Sequence, residues 1–361
     1  MRLRRVTLQN FRNIASASLA FEGSQHFLLG PNAQGKSNLL EAVGFITALR
    51  SFRTTDNRLL ITTGQSEAAI ACELEHERYG ETRVIIRLRG NGKEVTCDGE
   101  RMSKVGEYLA RFPTVVFSSQ DQQLVRGAPA VRRRWLDLTL SAMDPSYLYQ
   151  LQQYHRALID RNSLLKRGAA IEEVQAFEAP LAAAASALVV ARKAGAEVLA
   201  TQVTRAYANI AETATEAAAI VYQPDHDATD TTAWTARFAQ MRPRDQVLKA
   251  TSTGPHRDDF ALLINEGAAR DFGSEGQQRA MVLALRFAQM EFFRERSGVE
   301  PILLADDVLG ELDPRRRARF WQMLGPHRQV IATGTTPPNF GAWQIFQVNG
   351  GTFEPSPSSL T

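Results

Sequence analysis

The chain has 361 residues, of which 44% are hydrophobic and 22% charged, a balance typical of a globular protein with a substantial core. Its formal net charge is only +3, so a nucleic-acid surface would have to come from local arginine clusters. With two cysteines, no evident membrane-spanning run and no apolar segment behind the basic N-terminus, we expect a cytoplasmic protein without disulfides or a membrane partner.

The first part of the chain, residues 1–137, predicts an α/β arrangement. Alternating and apolar runs predict strands at residues 3–8, 17–21, 25–29, 68–74, 83–88, 94–97 and 114–117. A helix is predicted from Ser37 to about Leu49, and Asn91-Gly92 is a strong hairpin turn signal. Residues 67–99 therefore predict a meander of antiparallel strands.

Strand signal nearly disappears in residues 138–245, where good helix formers such as Ala, Leu, Arg and Glu dominate. We predict that this segment is a helical lobe inserted into the fold. Strand and helix patterns return in residues 246–361. The predicted strands are residues 260–264, 302–304, 329–332 and an edge strand at 343–348, with helices at 280–293 and 315–324. The tail, residues 354–359, has a composition typical of disorder.

The most specific motif is G-x-x-x-x-G-K-S, the phosphate-binding loop or Walker A pattern. Its residues are Gly30, Pro31, Asn32, Ala33, Gln34, Gly35, Lys36 and Ser37. The motif lies between a predicted buried strand and a predicted helix, as its mechanism requires. The loop amides and the helix N-terminus would face a bound anion. Lys36 would reach the β- and γ-phosphates, and the Ser37 hydroxyl would bind Mg²⁺.

A second motif is the apolar run 301–305 that ends in two carboxylates, a Walker B pattern. Asp306 would hold Mg²⁺, directly or through water. Asp307 would be the catalytic residue that orients and polarises the attacking water. By itself the pattern is weak, because many ordinary buried strands end in aspartate.

A third motif is Ser274, Glu275, Gly276 and Gln277, directly before a predicted helix. It has two interpretations, an anion site at a helix N-terminus and a capping box between Ser274 and Gln277, and both can hold together. Its position between Walker A and Walker B is that of the signature motif of ABC-type ATPases. The stretch 310–313, which ends in Asp313, resembles their D-loop.

The chain resembles the RecF family of bacterial recombinational repair ATPases, relatives of the SMC proteins. The resemblance rests on motifs in the family's order, at residues 8–13, 30–38, 51–54, 127–137, 254–259, 274–279 and 306–313. It implies an α/β, ABC-type ATPase head, with a mixed sheet, flanking helices and an antiparallel β-rich subdomain, plus the inserted helical lobe. It also places Arg12 among the ATP-binding residues.

The same resemblance implies ATP and Mg²⁺ as cofactors and an ATP-dependent homodimer on duplex DNA beside single-stranded gaps. It further implies cooperation with RecR and RecO in loading RecA. In a Ser-x-Gly-Gln ATPase, Ser274–Gln277 would act in trans on the γ-phosphate bound by a second copy. No base-reading motif appears, so DNA would be held through phosphates, with Arg53, Arg132, Arg133 and Arg134 as candidates.

The sequence departs from the expected patterns at several positions. Gly310 stands where the family usually has serine. Gln120 is either the Q-loop glutamine or part of a polar turn. Thr333 lies where transporter ATPases carry a switch histidine, so we expect a slow, DNA-stimulated ATPase. His256 is interpreted as a loop hydrogen-bonding residue rather than a metal ligand.

Two other classes compete with a DNA-binding ATPase switch: the nucleotide-binding subunit of a transporter and a P-loop metabolic kinase. A transporter subunit would have a leucine before the Ser-x-Gly-Gln signature, a switch histidine and a shorter distance from Walker A. A kinase would not explain the ABC order of the motifs.

Overall fold

The computed structural model describes residues 1–211, 215–308, 314–338 and 341–356. The chain divides into two compact units. We call Met1–Asp121 with Gln289–Thr361 the head unit and Gln122–Ala288 the arm unit. The arm unit extends beyond the predicted lobe of residues 138–245 on both sides, since it also includes residues 122–137 and 246–288.

Most of the described strands belong to the head unit, and most of the described long helices belong to the arm unit. The strands are β1 (Arg2–Phe11), β2 (Ile14–Ala20), β3 (Gln25–Leu29), β4 (Glu67–His76), β5 (Gly80–Arg89), β6 (Gly92–Cys97), β7 (Glu100–Arg101), β8 (Thr114–Ser118), β9 (Ala218–Gln223), β10 (Asp259–Ile264), β11 (Gly267–Ala268), β12 (Ile302–Asp306), β13 (Val330–Gly334), β14 (Gln344–Asn349) and β15 (Thr352–Pro355). The helices are α1 (Lys36–Ala48), α2 (Val105–Tyr108), α3 (Gln122–Arg126), α4 (Pro129–Met143), α5 (Pro145–Arg167), α6 (Ile171–Ala176), α7 (Glu178–Ile210), α8 (Thr231–Leu248), α9 (Ala269–Phe272), α10 (Glu275–Ser297) and α11 (Pro314–Leu324).

The head unit contains a mixed sheet of order β15-β14-β3-β13-β12-β8. Its strands from β14 to β8 run parallel, and only the β14–β15 pair is antiparallel. Strands β12 and β13 are almost wholly buried, as expected for parallel strands covered on both faces. The predicted edge strand at 343–348 is therefore an interior strand, since β14 pairs with both β3 and β15.

The second sheet of the head unit is antiparallel, with order β2-β1-β4-β5-β6-β7. Its long strands alternate buried and exposed residues, the pattern of a sheet with one solvated face. Helix α1 packs against β1 and β4 of this sheet and against β8, β12 and β13 of the mixed sheet. One apolar core, which includes Val6, Val43 and Ile331, joins these layers and fixes the start of α1.

The arm unit is mainly helical, and α7 packs against α5, α8 and β9. Pro180 and Gly195, which could have broken the helix, both lie inside α7. A Cβ on Gly195 would lie 2.5 Å from Cδ2 of Leu140, so the glycine lets α4 approach α7 closely.

A three-stranded sheet, β11-β10-β9, also belongs to the arm unit. Sequence reasoning missed β9 because its first residues are alanines, which have low β-propensity. Pairing with β10 from Gln223 to Ala218 overrides that local preference.

Contrary to the sequence prediction, the helical stretch 171–210 is long and apolar enough to cross a membrane by length and composition alone. Half of its apolar window is buried inside the protein. It also carries Glu178 and Arg192, which are buried in ion pairs within the arm unit. These features are those of a core helix in a folded domain.

Candidate nucleotide-binding site

The predicted phosphate-binding loop lies at the carboxyl edge of the mixed sheet. Strand β3 ends at Leu29 just before the loop. Its parallel neighbour β13 ends at Gly334, and β12, the next strand along the sheet, ends at Asp306. Carboxyl ends of parallel strands share one edge, where α/β proteins bind ligands. A pocket of about 370 Å³ opens there. It is lined by Asn13, Asn32, Ala33, Gln34, Gly35, Lys36, Ser37, Asn38, Arg53, Asp306, Asp307 and Thr333.

Lys36 is held inside the loop by backbone oxygens. Its ammonium donates hydrogen bonds to the carbonyls of Gly30 and Pro31, the latter at 2.8 Å, and the residue is 5% exposed. Burial lowers the pKa of Lys36 below its ordinary value, while Asp307 and Asp306 nearby act in the opposite direction. The positive charge of Lys36 is therefore held against the backbone of the loop and lies near the carboxylates of Asp306 and Asp307.

Ser37 and Asp306, the two predicted magnesium ligands, are brought together. The Ser37 hydroxyl donates to Oδ1 of Asp306 at 2.7 Å, and the Thr333 hydroxyl donates to the same oxygen at 2.9 Å. Mg²⁺ prefers hard oxygen ligands and uses few from the protein, with water and phosphate supplying the rest. One carboxylate and one hydroxyl at the pocket edge fit that preference. In the described part of the chain, no group of three or more His, Cys, Asp or Glu side chains forms an alternative metal site.

Asp307 is exposed and has a left-handed backbone, with φ of 58°. Its backbone N–H donates to the Thr333 hydroxyl at 2.9 Å, which fixes this unusual conformation. Non-glycine residues with positive φ often mark functional sites. Thr333 thus contacts both aspartates, Asp306 through its carboxylate and Asp307 through its backbone N–H.

Arg12 and Arg53 converge on Glu41, a fully buried carboxylate on α1. Arg12 makes a bidentate pair with it at 2.8 and 2.9 Å, and Arg53 approaches it at 3.2 Å. The Ser51 hydroxyl donates to the same carboxylate. Arg53 also donates to Asn38 at 2.7 Å and lines the pocket. Arg12 does not line the pocket, so its predicted contact with ATP stays a prediction.

The predicted signature, Ser274–Gln277, belongs to the arm unit and forms a capping box at the start of α10. The Ser274 N–H donates to the Gln277 side chain at 2.9 Å, and the Gln277 N–H donates to the Ser274 hydroxyl at 3.2 Å. One of the two interpretations of the motif is therefore observed directly. The other, an anion site acting in trans, stays a prediction, as do the roles of Glu275 and Gly276.

Two of the three arginines of the 132–134 cluster are engaged within the arm unit. Arg132 makes a bidentate ion pair with Asp259 at 2.8 and 2.9 Å, and Arg133 donates to the backbone oxygen of Asp258 at 2.6 Å. Arg134 is exposed. Of these candidates for DNA binding, Arg134 has the side chain most open to a partner.

The remaining predicted residues are placed as follows. Gln120 is exposed in a short turn directly after β8 and does not line the pocket, so its Q-loop role stays a prediction. His256 hydrogen-bonds the Tyr154 hydroxyl at 2.6 Å and the Thr251 carbonyl at 3.1 Å, as its interpretation as a loop residue predicts. Gly310 and Asp313 of the D-loop lie outside the described residues.

Sequence reasoning missed two features of the site. Glu41 pairs with both arginines, and its signal was a lone carboxylate among apolar residues in the second turn of α1. The other feature is the turn between β14 and β15, which contacts Gln34 of the loop. Its signal was the pair Gly350-Gly351, a common hairpin turn.

Comparison with known families agrees with this geometry. Residues 2–344 match the family model described as RecF/RecN/SMC N terminal domain. The chain is 36% identical to the DNA replication and repair protein RecF of Synechococcus sp. (strain JA-3-3Ab), over 100% of this chain and 99% of that protein. It is also 36% identical to the protein of that name from Rippkaea orientalis (strain PCC 8801 / RF-1), over 98% and 100%.

Solved structures give the same result. The chain is similar to the recombination mediator protein RecF-ATP in the RecFOR pathway, with a TM-score of 0.88 and 28% identity over 98% of this chain and 97% of that chain. It shares its fold with an SmcHead bound to the C-winged helix domain of ScpA, with a TM-score of 0.58 and 15% identity over 100% and 98%. The predicted fold class, an ABC-type head with an inserted helical lobe, is confirmed.

Proposed function

This chain belongs to the RecF family of DNA replication and repair proteins, and from that premise we propose that it is an ATP-dependent DNA-binding protein of recombinational repair and replication restart. One observation carries the proposal. Loop residues 32–37, Asp306 and Asp307 line a single pocket at the carboxyl edge of the mixed sheet. A solved relative described as RecF-ATP supports ATP as the ligand.

In the proposed complex the loop amides and the Lys36 ammonium bind the phosphates. To do so, Lys36 exchanges its two carbonyl partners for phosphate oxygens. Ser37 and Asp306 would hold Mg²⁺, which would supply positive charge to the phosphates. Asp307 orients and polarises the attacking water, with Thr333 holding its backbone. Because Thr333 has no titratable group, we expect slow hydrolysis and a protein that works as a switch.

The proposed switch is dimerisation. Ser274 and the amides of Glu275 and Gly276 at the start of α10 would complete the site around the γ-phosphate held by a second copy. ATP would then hold a two-fold dimer together, and ADP would not, because it lacks the γ-phosphate. The position of the signature in the ABC motif order supports this proposal.

The proposed partners are duplex and gapped DNA, then RecR, with RecO and RecA downstream, all in the cytoplasm. DNA would be held through phosphates. A transporter subunit is the weaker candidate, because it leaves the full-length match to proteins named for DNA replication and repair unexplained.

The proposal is tested by retention of the purified protein on a gapped duplex. We expect retention with ATP and Mg²⁺, and little with ADP. Lys36→Met removes the phosphate-binding cation but keeps much of the bulk, so it should abolish both ATP binding and ATP-dependent retention with the fold intact. Equal retention with ATP, ADP and no nucleotide would refute the proposed switch.

A further inference from the structure

The β14–β15 hairpin closes with a two-residue turn, Gly350-Gly351, between the paired residues Asn349 and Thr352. Both glycines have positive φ, 55° and 83°. This is the geometry of a type I′ turn, which matches the twist of the two strands. Because β14 pairs in parallel with β3, the hairpin ends beside the phosphate-binding loop that follows β3.

Both backbone N–H groups of this turn donate hydrogen bonds to one residue of the loop, Gln34. The Gly350 N–H donates to the side-chain oxygen of Gln34 at 2.8 Å, and the Gly351 N–H donates to the backbone oxygen of Gln34 at 2.9 Å. Gln34 is the residue before Gly35, where the loop turns into α1. The two bonds therefore fix the middle of the loop from the C-terminal hairpin.

The two glycines differ in the space around them. A Cβ on Gly351 would lie 2.6 Å from the backbone oxygen of Asn13, whereas a Cβ on Gly350 would meet nothing within 4 Å. Gly351 therefore lies too close to Asn13 for any side chain, and Gly350 faces open space.

Asn13 in turn contacts the loop. A Cβ on Gly35 would lie 3.1 Å from Oδ1 of Asn13, and the Asn38 amide donates to that oxygen at 2.7 Å. Any group added to Gly351 would push Asn13 toward Gly35 and Asn38, or pull the two amides away from Gln34. Either movement displaces the part of the loop that binds phosphate.

We propose that the Gly350-Gly351 turn positions the phosphate-binding loop and that Gly351 is a positioning residue for ATP binding. This inference rests on the proposed binding of ATP at the loop. The turn holds the loop in the shape that accepts phosphate before ATP arrives, so binding does not have to order it. The last described hairpin of the chain thus acts on a loop more than 300 residues earlier.

The test compares Gly350→Asn with Gly351→Asn, the same substitution at neighbouring positions of one turn. Asparagine tolerates positive φ, so backbone strain is matched. By calorimetric titration with ATP and Mg²⁺, Gly350→Asn should bind within about twofold of wild type. Gly351→Asn should bind about tenfold more weakly or worse, because displacing loop atoms by a fraction of an ångström disrupts several phosphate contacts at once.

The melting temperature of each variant is measured alongside. A purely structural role for Gly351 would lower the melting temperature and leave the ATP affinity of the folded protein unchanged, and that result would overturn the inference. If Gly351→Asn does not fold, Gly351→Ala makes the same comparison with the smallest added group. Failure of both to fold would also overturn it, since Gly351 would then serve the fold rather than the loop. A wild-type protein that does not bind ATP would instead refute the proposed function itself.

Discussion

The pocket of the head unit and the buried polar network of the arm unit both place a cation near aspartates, but they use these charges for opposite purposes. In the network, Arg192 donates to Asp258 at 2.7 Å and to Asp137 at 2.9 Å, and its side chain is 3% exposed. In the pocket, Lys36 is held by loop carbonyls and Asp307 is exposed. Charges that are satisfied by each other stabilise a fold, whereas charges held by weaker partners beside open space are available to a ligand.

Asp307→Asn should have the largest effect on the pocket. Asparagine tolerates the left-handed backbone at this position, so the fold and ATP binding should persist. The amide cannot polarise water as a carboxylate does, and we expect steady-state hydrolysis to slow about 10²–10⁴-fold. An unchanged rate would place the base elsewhere, with Gln120 the next candidate.

Arg192→Met should have the largest effect on the network. It leaves Asp137 and Asp258 without the buried cation that pairs with both, and losses of about 3–5 kcal/mol in the free energy of unfolding are typical of such changes. Lys193→Met is the control on the same helix, since Lys193 pairs with Asp227 at the surface and exposed pairs contribute about 1 kcal/mol or less. Urea unfolding measures both. Comparable losses from the two variants would contradict the distinction drawn between the regions.

Each unit carries one histidine whose pKa burial lowers from 6.5 to about 4: His26 in the head and His256 in the arm. Because the pKa is lower in the folded protein than in the unfolded chain, protonation favours unfolding. The free energy of unfolding is therefore unaffected above pH 6.5 and decreases as the pH falls toward 4. For each histidine, lowering the pH from 7 to 5 should decrease the free energy of unfolding by about 2 kcal/mol. Urea titrations of His26→Gln and His256→Gln should show a shallower pH dependence than wild type.

The smallest expected effect concerns DNA. Arg134→Ala should weaken binding modestly and equally for all sequences, with the salt dependence reduced by about one phosphate contact. Arg132→Ala should instead lower stability, because it leaves Asp259 unpaired. Fluorescence anisotropy at several salt concentrations, with urea unfolding of both variants, separates the two. A larger DNA defect in a still-stable Arg132→Ala would reverse this assignment.

Sequence reasoning found the features that a short run of consecutive residues determines. The loop, the strand ending in Asp306 and the helix after Ser37 each depend on a few consecutive residues, and the structure has all three. The bonds of Gln34 to Gly350 and of Thr333 to Asp306 join distant segments, so no local pattern contains them. The signature, Ser274–Gln277, is a local pattern that is ambiguous, because the same short motif fits both a capping box and an anion site.

The arm unit shows why motif specificity alone does not identify a site. The blocks 132–137 and 254–259 are as distinctive in sequence as the phosphate-binding loop. In the structure they bond to each other, through Arg132 with Asp259 and through Arg192, which joins Asp137 to Asp258. Only the fold shows that these residues are mutually satisfied and that those of the loop are not.

The proposed dimer requires that ATP bound at the loop join two copies through Ser274. Sedimentation velocity with ATP or ADP tests it on wild type, Lys36→Met, Ser274→Arg and a mixture of the two variants. We expect an ATP-dependent dimer of wild type, none of either variant alone, and partial dimer in the mixture, where one composite site is intact. Ser274→Arg should still bind ATP as a monomer and lose about 1 kcal/mol of stability with its cap. If Ser274→Arg dimerises with ATP as well as wild type, the composite site does not exist and Ser274–Gln277 is only a helix cap.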